Sequence, residues 1–215
     1  MNANSLNSVA GSLRLLEKLP LTVSISNEMY VQTEKYVQLL LTWSKALNLT
    51  AIKDPDDIFR LHVADSASIE PYLRGGCIAD VGTGAGFPGM ILAILHPEKK
   101  FTLIESVTKK ASFIRNAVSV IGIKNVEVLN QRCEQIKGRK FDCIVSRAFA
   151  SLKKMTSLCR ELVSENGIFL AMKGRLSDEE VQELPPDIKV EKKIPVAIPG
   201  TDVQRTAVIL RITKD

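Results

Sequence analysis

Features of several protein classes are missing from this 215-residue sequence. No run approaches the roughly 18 consecutive apolar residues that a membrane span requires. The first twenty residues lack the basic start, the compact apolar run and the cleavage site of a secretory signal. We therefore expect a cytoplasmic protein that has no membrane partner.

Cysteine and histidine are also scarce. The four cysteines are too widely spaced for a Cys-x-x-Cys pair, and His62 and His96 are the only two histidines, so no zinc-ligand spacing appears. We expect no bound metal. The thiols are predicted to be free and mostly buried; they belong to Cys77, Cys133, Cys143 and Cys159.

The remaining composition is that of an ordinary folded protein with a slight basic excess. A hydrophobic share of 45% in a chain of this length is enough for one sizeable core, with room for a small extension. The 29 basic and 24 acidic residues give a net charge of +5. This excess fits a polyanionic partner such as nucleic acid, although charge alone favours it only slightly.

In the first third of the chain, apolar residues recur at the spacing of amphipathic helices. One amphipathic helix is predicted to begin near Ser26, and a second at Asp54-Pro55, where an N-cap residue precedes a proline. A partner helix carrying Ile69 is predicted to end at the glycines Gly75 and Gly76. We interpret residues 1–75 as a helical extension packed on a core formed by residues 76–215.

From Cys77 onward, short apolar runs alternate with helical segments, which is typical of βαβ units around a buried parallel sheet. Two later runs, Ile188 to Pro195 and Ala207 to Ile212, flank a turn-rich stretch and predict an antiparallel hairpin at one sheet edge. The predicted fold is therefore α/β: a Rossmann-like class I methyltransferase with a mostly parallel seven-stranded sheet. The five predicted parallel strands are Cys77 to Val81, Phe101 to Ile104, Val126 to Leu129, Phe141 to Val145 and Ile168 to Met172.

A glycine-rich turn, Asp80 to Gly89, follows the first of these strands. Glycines let the backbone turn tightly and approach a ligand that a Cβ atom would block. If the strand ends at Val81, then Gly82 and Gly84 belong to the G-x-G-x-G turn of many methyltransferases. The segment from Gly84 also matches the dinucleotide pattern G-x-G-x-x-G, so this spacing alone does not identify the cofactor.

Asp80 favours one of these two cofactors. A carboxylate at the strand end repels a pyrophosphate but attracts the ammonium and sulfonium groups of S-adenosylmethionine. We therefore predict that S-adenosylmethionine binds here, near Asp80, Gly82 and Gly84.

Further candidates follow the other strands, because ligands of open α/β sheets bind outside the carboxyl ends of the strands. Glu105, about 20 residues past the glycine turn, is placed to accept hydrogen bonds from ribose hydroxyls. Glu134 follows the third strand and is predicted to face the adenine. Basic residues at the same edge are predicted to bind RNA phosphates: Arg132, Arg147, Lys173 and Arg175.

Taken together, these motifs closely resemble one family, the bacterial small-subunit rRNA guanine-N7 methyltransferase G, also called glucose-inhibited division protein B. The resemblance spans Trp43 to Arg175, in the family's order. The matching stretches are Leu47-Asn48-Leu49-Thr50, His62 with Asp65-Ser66, Gly82 to Gly89, Arg132-Cys133-Glu134, Ser146-Arg147-Ala148 and Lys173-Gly174.

The resemblance implies methylation of N7 of a guanine in 16S rRNA, with naked rRNA or the small ribosomal subunit as partner. It also implies cofactor contacts at Gly82, Phe87, Cys133, Glu134 and Arg147, with Glu105 in the usual ribose position. We expect a monomer.

Three positions depart from the family pattern. Leu61 occupies the place of the family's arginine, with Arg60 one place earlier; Glu105 replaces a common aspartate; and Lys110 replaces a common arginine. The first departure leaves the role of Arg60 open. The other two keep their charge, although a lysine cannot reproduce the bidentate contact of an arginine.

The implied chemistry requires no catalytic acid or base. Guanine N7 has an in-plane lone pair and no proton, so the enzyme has only to align it with the methyl donor and exclude water. We therefore predict no catalytic residue in the strict sense. Two other function classes stay open: a nicotinamide-dependent oxidoreductase that uses the same turn, and a non-catalytic RNA-binding module.

Overall fold

The structure is a computed structural model that describes residues 14–147, 149 and 151–213. The predicted extension thus includes residues 1–13 that lie outside the described part, as does Ala148 of the Ser-Arg-Ala stretch. Seven α-helices are described: α1 (Asn27–Leu47), α2 (Pro55–Ile58), α3 (Asp65–Ala67), α4 (Gly89–Leu95), α5 (Thr108–Ile121), α6 (Leu152–Cys159) and α7 (Asp178–Gln182). Seven strands are described: β1 (Cys77–Val81), β2 (Lys100–Ile104), β3 (Val126–Leu129), β4 (Phe141–Arg147), β5 (Val163–Lys173), β6 (Ile188–Val196) and β7 (Arg205–Ile212).

The strands form one seven-stranded sheet in the order β3-β2-β1-β4-β5-β7-β6. The first five strands are parallel, and β7 pairs antiparallel with both β5 and β6. The predicted fold class, with its terminal antiparallel hairpin, is confirmed. Strand order reverses between β1 and β4, so ligands are expected outside the carboxyl ends of these strands.

The N-terminal helices begin where the sequence predicts. The Ser26 hydroxyl accepts a hydrogen bond from the backbone of Met29 at the start of α1, and the Asp54 carboxylate accepts one from the backbone of Asp57 at the start of α2. A π-helical stretch, Phe59–Ala64, joins α2 to α3.

The predicted end of the partner helix is wrong. The helix ends with α3 at Ala67, and a short 3-10 turn, Glu70–Tyr72, follows in place of a continuation to Gly75. Pro71 explains the difference, because it has no N–H to donate to the carbonyl of Ala67 and its ring would collide with that carbonyl in a continuous helix.

A single buried cluster includes residues of both predicted parts of the chain. Tyr36 and Leu40 of α1 and Phe59 of the π-helical stretch pack together with Met90 of α4 and Phe113 of α5. The N-terminal helices therefore share a core with the helices on one face of the sheet. The division at residue 75 stays a prediction.

Within residues 14–147, 149 and 151–213, no helix combines the length and the apolar character needed to cross a membrane. The same range contains no group of three or more histidine, cysteine, aspartate or glutamate side chains placed to bind a metal ion.

Candidate cofactor and RNA site

The glycine turn leaves the carboxyl end of β1 and is hydrogen-bonded to the end of β2. The backbone N–H groups of Gly82 and Thr83 both donate to the carbonyl of Ile104, at 2.9 and 3.2 Å. Gly82 and Gly84 have φ angles of +69° and +63°, which disfavour other residues. A Cβ atom at either position would meet no protein atom within 4 Å, so the turn leaves space for a ligand.

Asp80 is completely buried beneath this turn. Its Oδ2 accepts hydrogen bonds from the Thr83 hydroxyl (2.5 Å) and the Gly89 backbone N–H (2.7 Å), whereas its Oδ1 is buried without a hydrogen-bond partner. Burial raises the pKa of this carboxyl to about 6, although the two hydrogen bonds and the charge of Arg147 oppose the increase. At neutral pH the site thus contains a carboxylate with one unsatisfied oxygen.

Glu105 lies at the end of β2 and contacts the same turn. One carboxylate oxygen accepts a hydrogen bond from the Gly84 N–H (2.9 Å) and the other accepts one from the Val107 N–H (2.7 Å). Glu105 is only 6% exposed. Each oxygen retains a free lone pair, so Glu105 can shape the turn and still accept a hydrogen bond from a ligand.

A cleft of about 290 Å³ opens beside the turn. Apolar side chains suited to an aromatic ring line it together with polar groups that can select that ring. Cys133 is buried in the cleft wall, whereas Arg132 and Glu134 lie in the rim with exposed side chains. The other lining residues are Val81, Gly82, Ile104, Ser106, Gln131, Phe149, Lys154 and Leu158.

These features fit S-adenosylmethionine better than a dinucleotide. The unpartnered oxygen of Asp80 can accept a hydrogen bond from an ammonium group, and the open turn can admit an amino-acid moiety. Glu105 adds a second carboxylate beside the turn. The buried carboxylate of Asp80 at the end of β1 would repel a pyrophosphate, whereas a carboxylate in the position of Glu105 can bind the ribose of either cofactor.

Phe87 lies behind the turn and is 3% exposed. Its ring stacks on His62 with the ring centroids 4.8 Å apart, and the Arg147 guanidinium lies 5.3 Å from its centroid. Burial, together with the charge of Arg147, lowers the pKa of His62 to about 4. His62 is therefore neutral at pH 7 and forms part of a packed stack.

Arg147, at the end of β4, is oriented toward the N-terminal helices. Its Nη1 donates to the carbonyl of Leu61 (3.1 Å) and to Oδ2 of Asp65 (3.0 Å). Arg205, at the start of β7, donates from Nε to Oδ1 of Asp65 (2.9 Å). Asp65 is completely buried, so two arginines from the sheet neutralise one carboxylate of the helical segment.

The other predicted RNA-binding residues differ in exposure. Lys173 forms a 2.8 Å ion pair with Glu180 of α7 and is 15% exposed. Arg132 and Arg175 are exposed. The structure therefore brings Arg132 to the cofactor cleft, whereas Arg147 and Lys173 are both bound to carboxylates.

Comparisons with known proteins identify the family of this chain. Residues 29–208 match the family described as rRNA small subunit methyltransferase G. The chain belongs to this family. A relative of that name from Actinobacillus succinogenes is 42% identical over 190 residues, which cover 88% of this chain and 90% of the relative. Another, from Photobacterium profundum, is 41% identical over 203 residues, with 94% and 98% coverage.

Two solved structures share the fold of this chain. A SAM-dependent methyltransferase from Aquifex aeolicus aligns with a TM-score of 0.58 and 21% identity, covering 76% of this chain and 97% of that one. A variant of the protein MtNAS in complex with S-adenosylmethionine aligns with a TM-score of 0.55 and 15% identity over 100% of both chains. At these identities the likeness concerns the fold alone.

Sequence reasoning missed the role of Asp65 and the participation of Arg205 in the same ion-pair network. His62 and Asp65 lie in stretches that resemble the family, and that resemblance was the available signal. Arg205 had no such signal, because a basic residue at the start of an edge hairpin is ordinarily solvated.

Proposed function

We propose that this protein methylates N7 of a guanine in 16S rRNA, using S-adenosylmethionine as the methyl donor. Membership of the rRNA small subunit methyltransferase G family supports the enzyme class, the RNA substrate and the methyl donor. The structural observation that carries the proposal is the buried Asp80 carboxylate, whose Oδ1 is unpartnered beneath an open glycine turn. A site of this charge suits a cationic adenosyl ligand.

Different residues of the chain would bind different parts of the cofactor. Asp80 would bind the amino group, Gly82 and Gly84 would allow close approach of the backbone, and Glu105 would accept the ribose hydroxyls. Cys133 and Glu134 would contact the adenine end, because Cys133 lies in the wall of the cleft and Glu134 in its rim. When bound, S-adenosylmethionine supplies an electrophilic methyl group on its sulfonium.

Alignment and exclusion of water are the main tasks of the protein. Guanine N7 presents a lone pair and carries no proton, so no side chain has to act as a base. Phe87, His62 and Arg147 form a rigid stack behind the turn. We propose that Phe87 and Arg147 act by fixing the position of this turn, so that the guanine and the donor meet in line.

RNA binding is assigned to the basic side chains at the carboxyl edge of the sheet. Arg132 and Arg175 are exposed and would bind phosphates directly. Arg147 would add positive potential at this edge, because Arg147 and Arg205 together carry one more charge than Asp65 neutralises. Lys173 would bind a phosphate by exchanging its partner Glu180 for it. We further propose that the protein acts as a monomer in the cytoplasm.

Methyl transfer from labelled S-adenosylmethionine tests this function. The substrates are 16S rRNA and small subunits from cells that lack this modification, with 23S rRNA as the control. Label is expected in 16S rRNA alone, and digestion to nucleosides should yield 7-methylguanosine. Label in another base would disprove the N7 assignment.

A binding experiment separates the alternatives. S-adenosylhomocysteine is expected to raise the melting temperature of the protein, whereas NADH is expected to leave it unchanged. Stabilisation by NADH would favour an oxidoreductase. Salt-sensitive RNA binding without an effect of S-adenosylhomocysteine would favour an RNA-binding module.

A further inference from the structure

Cys133 and Cys159 lie side by side although they are distant in sequence. Their Sγ atoms are 3.8 Å apart. Cys133 begins a single 3-10 turn, Cys133–Gln135, after β3, and Cys159 is the last residue of α6. Both residues are buried, with exposures of 6% and 0%. The proposed methyl transfer uses the chemistry of neither thiol.

The two thiols differ in access. Cys133 lines the cofactor cleft and is 6% exposed, whereas Cys159 is completely buried and contacts the sulfur of Cys133. The hydrogen bond from Cys159 lowers the pKa of Cys133, which favours the nucleophilic thiolate, although burial and the nearby Glu134 carboxylate oppose the decrease. Cys143 contrasts with this pair, because its complete burial in β4 raises the pKa of its thiol to about 12.

We propose that Cys133 and Cys159 are a redox-modification site at which a hydroperoxide forms an intramolecular disulfide that weakens cofactor binding. Formation of the disulfide depends only on the two thiols. Its effect on the cofactor rests on the proposed function, because that function places the adenine against Cys133.

The reaction is balanced with hydrogen peroxide as the oxidant. The Cys133 thiolate attacks one peroxide oxygen, the O–O bond breaks, and the products are a sulfenic acid and a hydroxide that takes up the thiol proton to form water. The Cys159 sulfur then attacks the Cys133 sulfur, and the S–O bond breaks as the S–S bond forms. The hydroxyl group leaves with the Cys159 proton as a second water. A dithiol reductant reverses the modification by exchange.

The disulfide would change the shape of the cleft. A disulfide has an S–S distance of about 2.05 Å, so the sulfurs must approach each other by about 1.8 Å. The 3-10 turn is a single turn, with backbone hydrogen bonds from Gln135 to Arg132 and from Ile136 to Cys133. This short turn is expected to move toward the longer helix α6. Arg132 and Glu134 line the cleft and would move with it.

The experiment uses the full-length protein, reduced and then exposed to hydrogen peroxide. Ellman's reagent under denaturing conditions is expected to detect two remaining thiols of the original four. A non-reducing peptide map should link the peptides of Cys133 and Cys159. The Kd for S-adenosylhomocysteine, measured by calorimetry, should rise at least fivefold and return to its starting value after treatment with dithiothreitol.

Two buried cysteine variants provide a matched comparison. Cys159→Ala should form no intramolecular disulfide under peroxide, whereas Cys143→Ala, also completely buried, should behave as the wild type. Thermal unfolding of both reduced variants verifies that they fold. Four surviving thiols, a disulfide that involves Cys77 or Cys143, or an unchanged Kd after oxidation would each overturn the proposal. Failure of the reduced wild type to bind S-adenosylhomocysteine would instead contradict the proposed function.

Discussion

The guanidinium group of Arg147 donates a 3.0 Å hydrogen bond to the buried carboxylate of Asp65. This contact joins the end of β4 to the N-terminal helical segment, 82 residues earlier in the chain. Arg147 also lies over Phe87 of the glycine turn. The position of the cofactor turn is therefore coupled to the packing of the helical extension.

Replacing Asp65 by asparagine is expected to lower the free energy of unfolding by about 3 kcal/mol, because it leaves the guanidinium groups of Arg147 and Arg205 without their buried counter-charge. Methylation should fall as well, since Arg147 contacts the glycine turn through Phe87. Urea denaturation measures the loss of stability.

The matched control is Glu127→Gln, another isosteric change at a carboxylate that is paired with an arginine, Arg139, but on the surface. It should alter the free energy of unfolding by less than about 0.5 kcal/mol. Equal effects of the two changes would show that the buried network contributes no more than a surface pair.

Gly84→Ala tests whether the open space at the turn belongs to a ligand. A residue with a Cβ at a φ of +63° is strained, so the free energy of unfolding should fall by about 1 kcal/mol. The added methyl group would also point into ligand space, and the affinity for S-adenosylhomocysteine should fall at least tenfold in calorimetry.

Gly122→Ala separates the effect of backbone strain on stability from the effect of the added methyl group on ligand binding. Gly122 has a φ of +82° at the end of α5, and a Cβ there also meets no atom within 4 Å. This variant should lose similar stability but bind S-adenosylhomocysteine as the wild type does. If both variants retain the wild-type affinity, the space at Gly84 is not a ligand site.

The strands were predictable because buried parallel strands are continuous apolar runs. β1 and β3 have the predicted ends, Cys77–Val81 and Val126–Leu129. β4 continues to Arg147, two residues past the predicted end. These two residues are polar, and their partners are remote in sequence: Ser146 donates to the carbonyl of Val81, and Arg147 binds Asp65.

The candidate site was predictable where a backbone requirement dictates the residue type, as at Gly82 and Gly84. Orientation of the long basic side chains was not predictable. Arg147 and Lys173 follow strands as expected, but each binds a carboxylate of a helix, Asp65 or Glu180. Ion pairs of this kind depend on tertiary packing, which a single sequence does not specify.

Cofactor affinity should depend on the ionisation of Asp80. Its pKa is raised to about 6, mainly by burial, and a cationic amino group requires the ionised carboxylate. Protonation of Asp80 should therefore raise the Kd for S-adenosylhomocysteine about tenfold between pH 7 and pH 5. Calorimetry at several pH values measures this dependence. The Asp80→Asn variant should bind S-adenosylhomocysteine weakly, and its affinity should not change between pH 7 and pH 5. If this variant keeps the pH dependence of the wild type, the group that titrates is not Asp80.

The stability of the fold should depend on pH through His96. Its imidazole is hydrogen-bonded to Glu70 and Glu98, both at 2.7 Å. Burial lowers the pKa of His96, but these two carboxylates raise it by more, so the folded-state pKa lies above the ordinary value of 6.5. The resulting stabilisation is fully present below pH 6.5 and is lost as the pH rises through the folded-state pKa.

Comparison of the wild type with His96→Gln by urea denaturation isolates this effect. The excess stability of the wild type should decrease steadily from pH 6 to pH 9. His62, whose pKa is lowered to about 4, does not contribute to this difference, because both proteins contain it. A difference between wild type and variant that stays constant over this range would mean that the pKa of His96 is the same in the folded and the unfolded protein. A difference that increases with pH would mean that His96 is uncharged in the folded protein, and that its contacts with Glu70 and Glu98 are hydrogen bonds of a neutral ring.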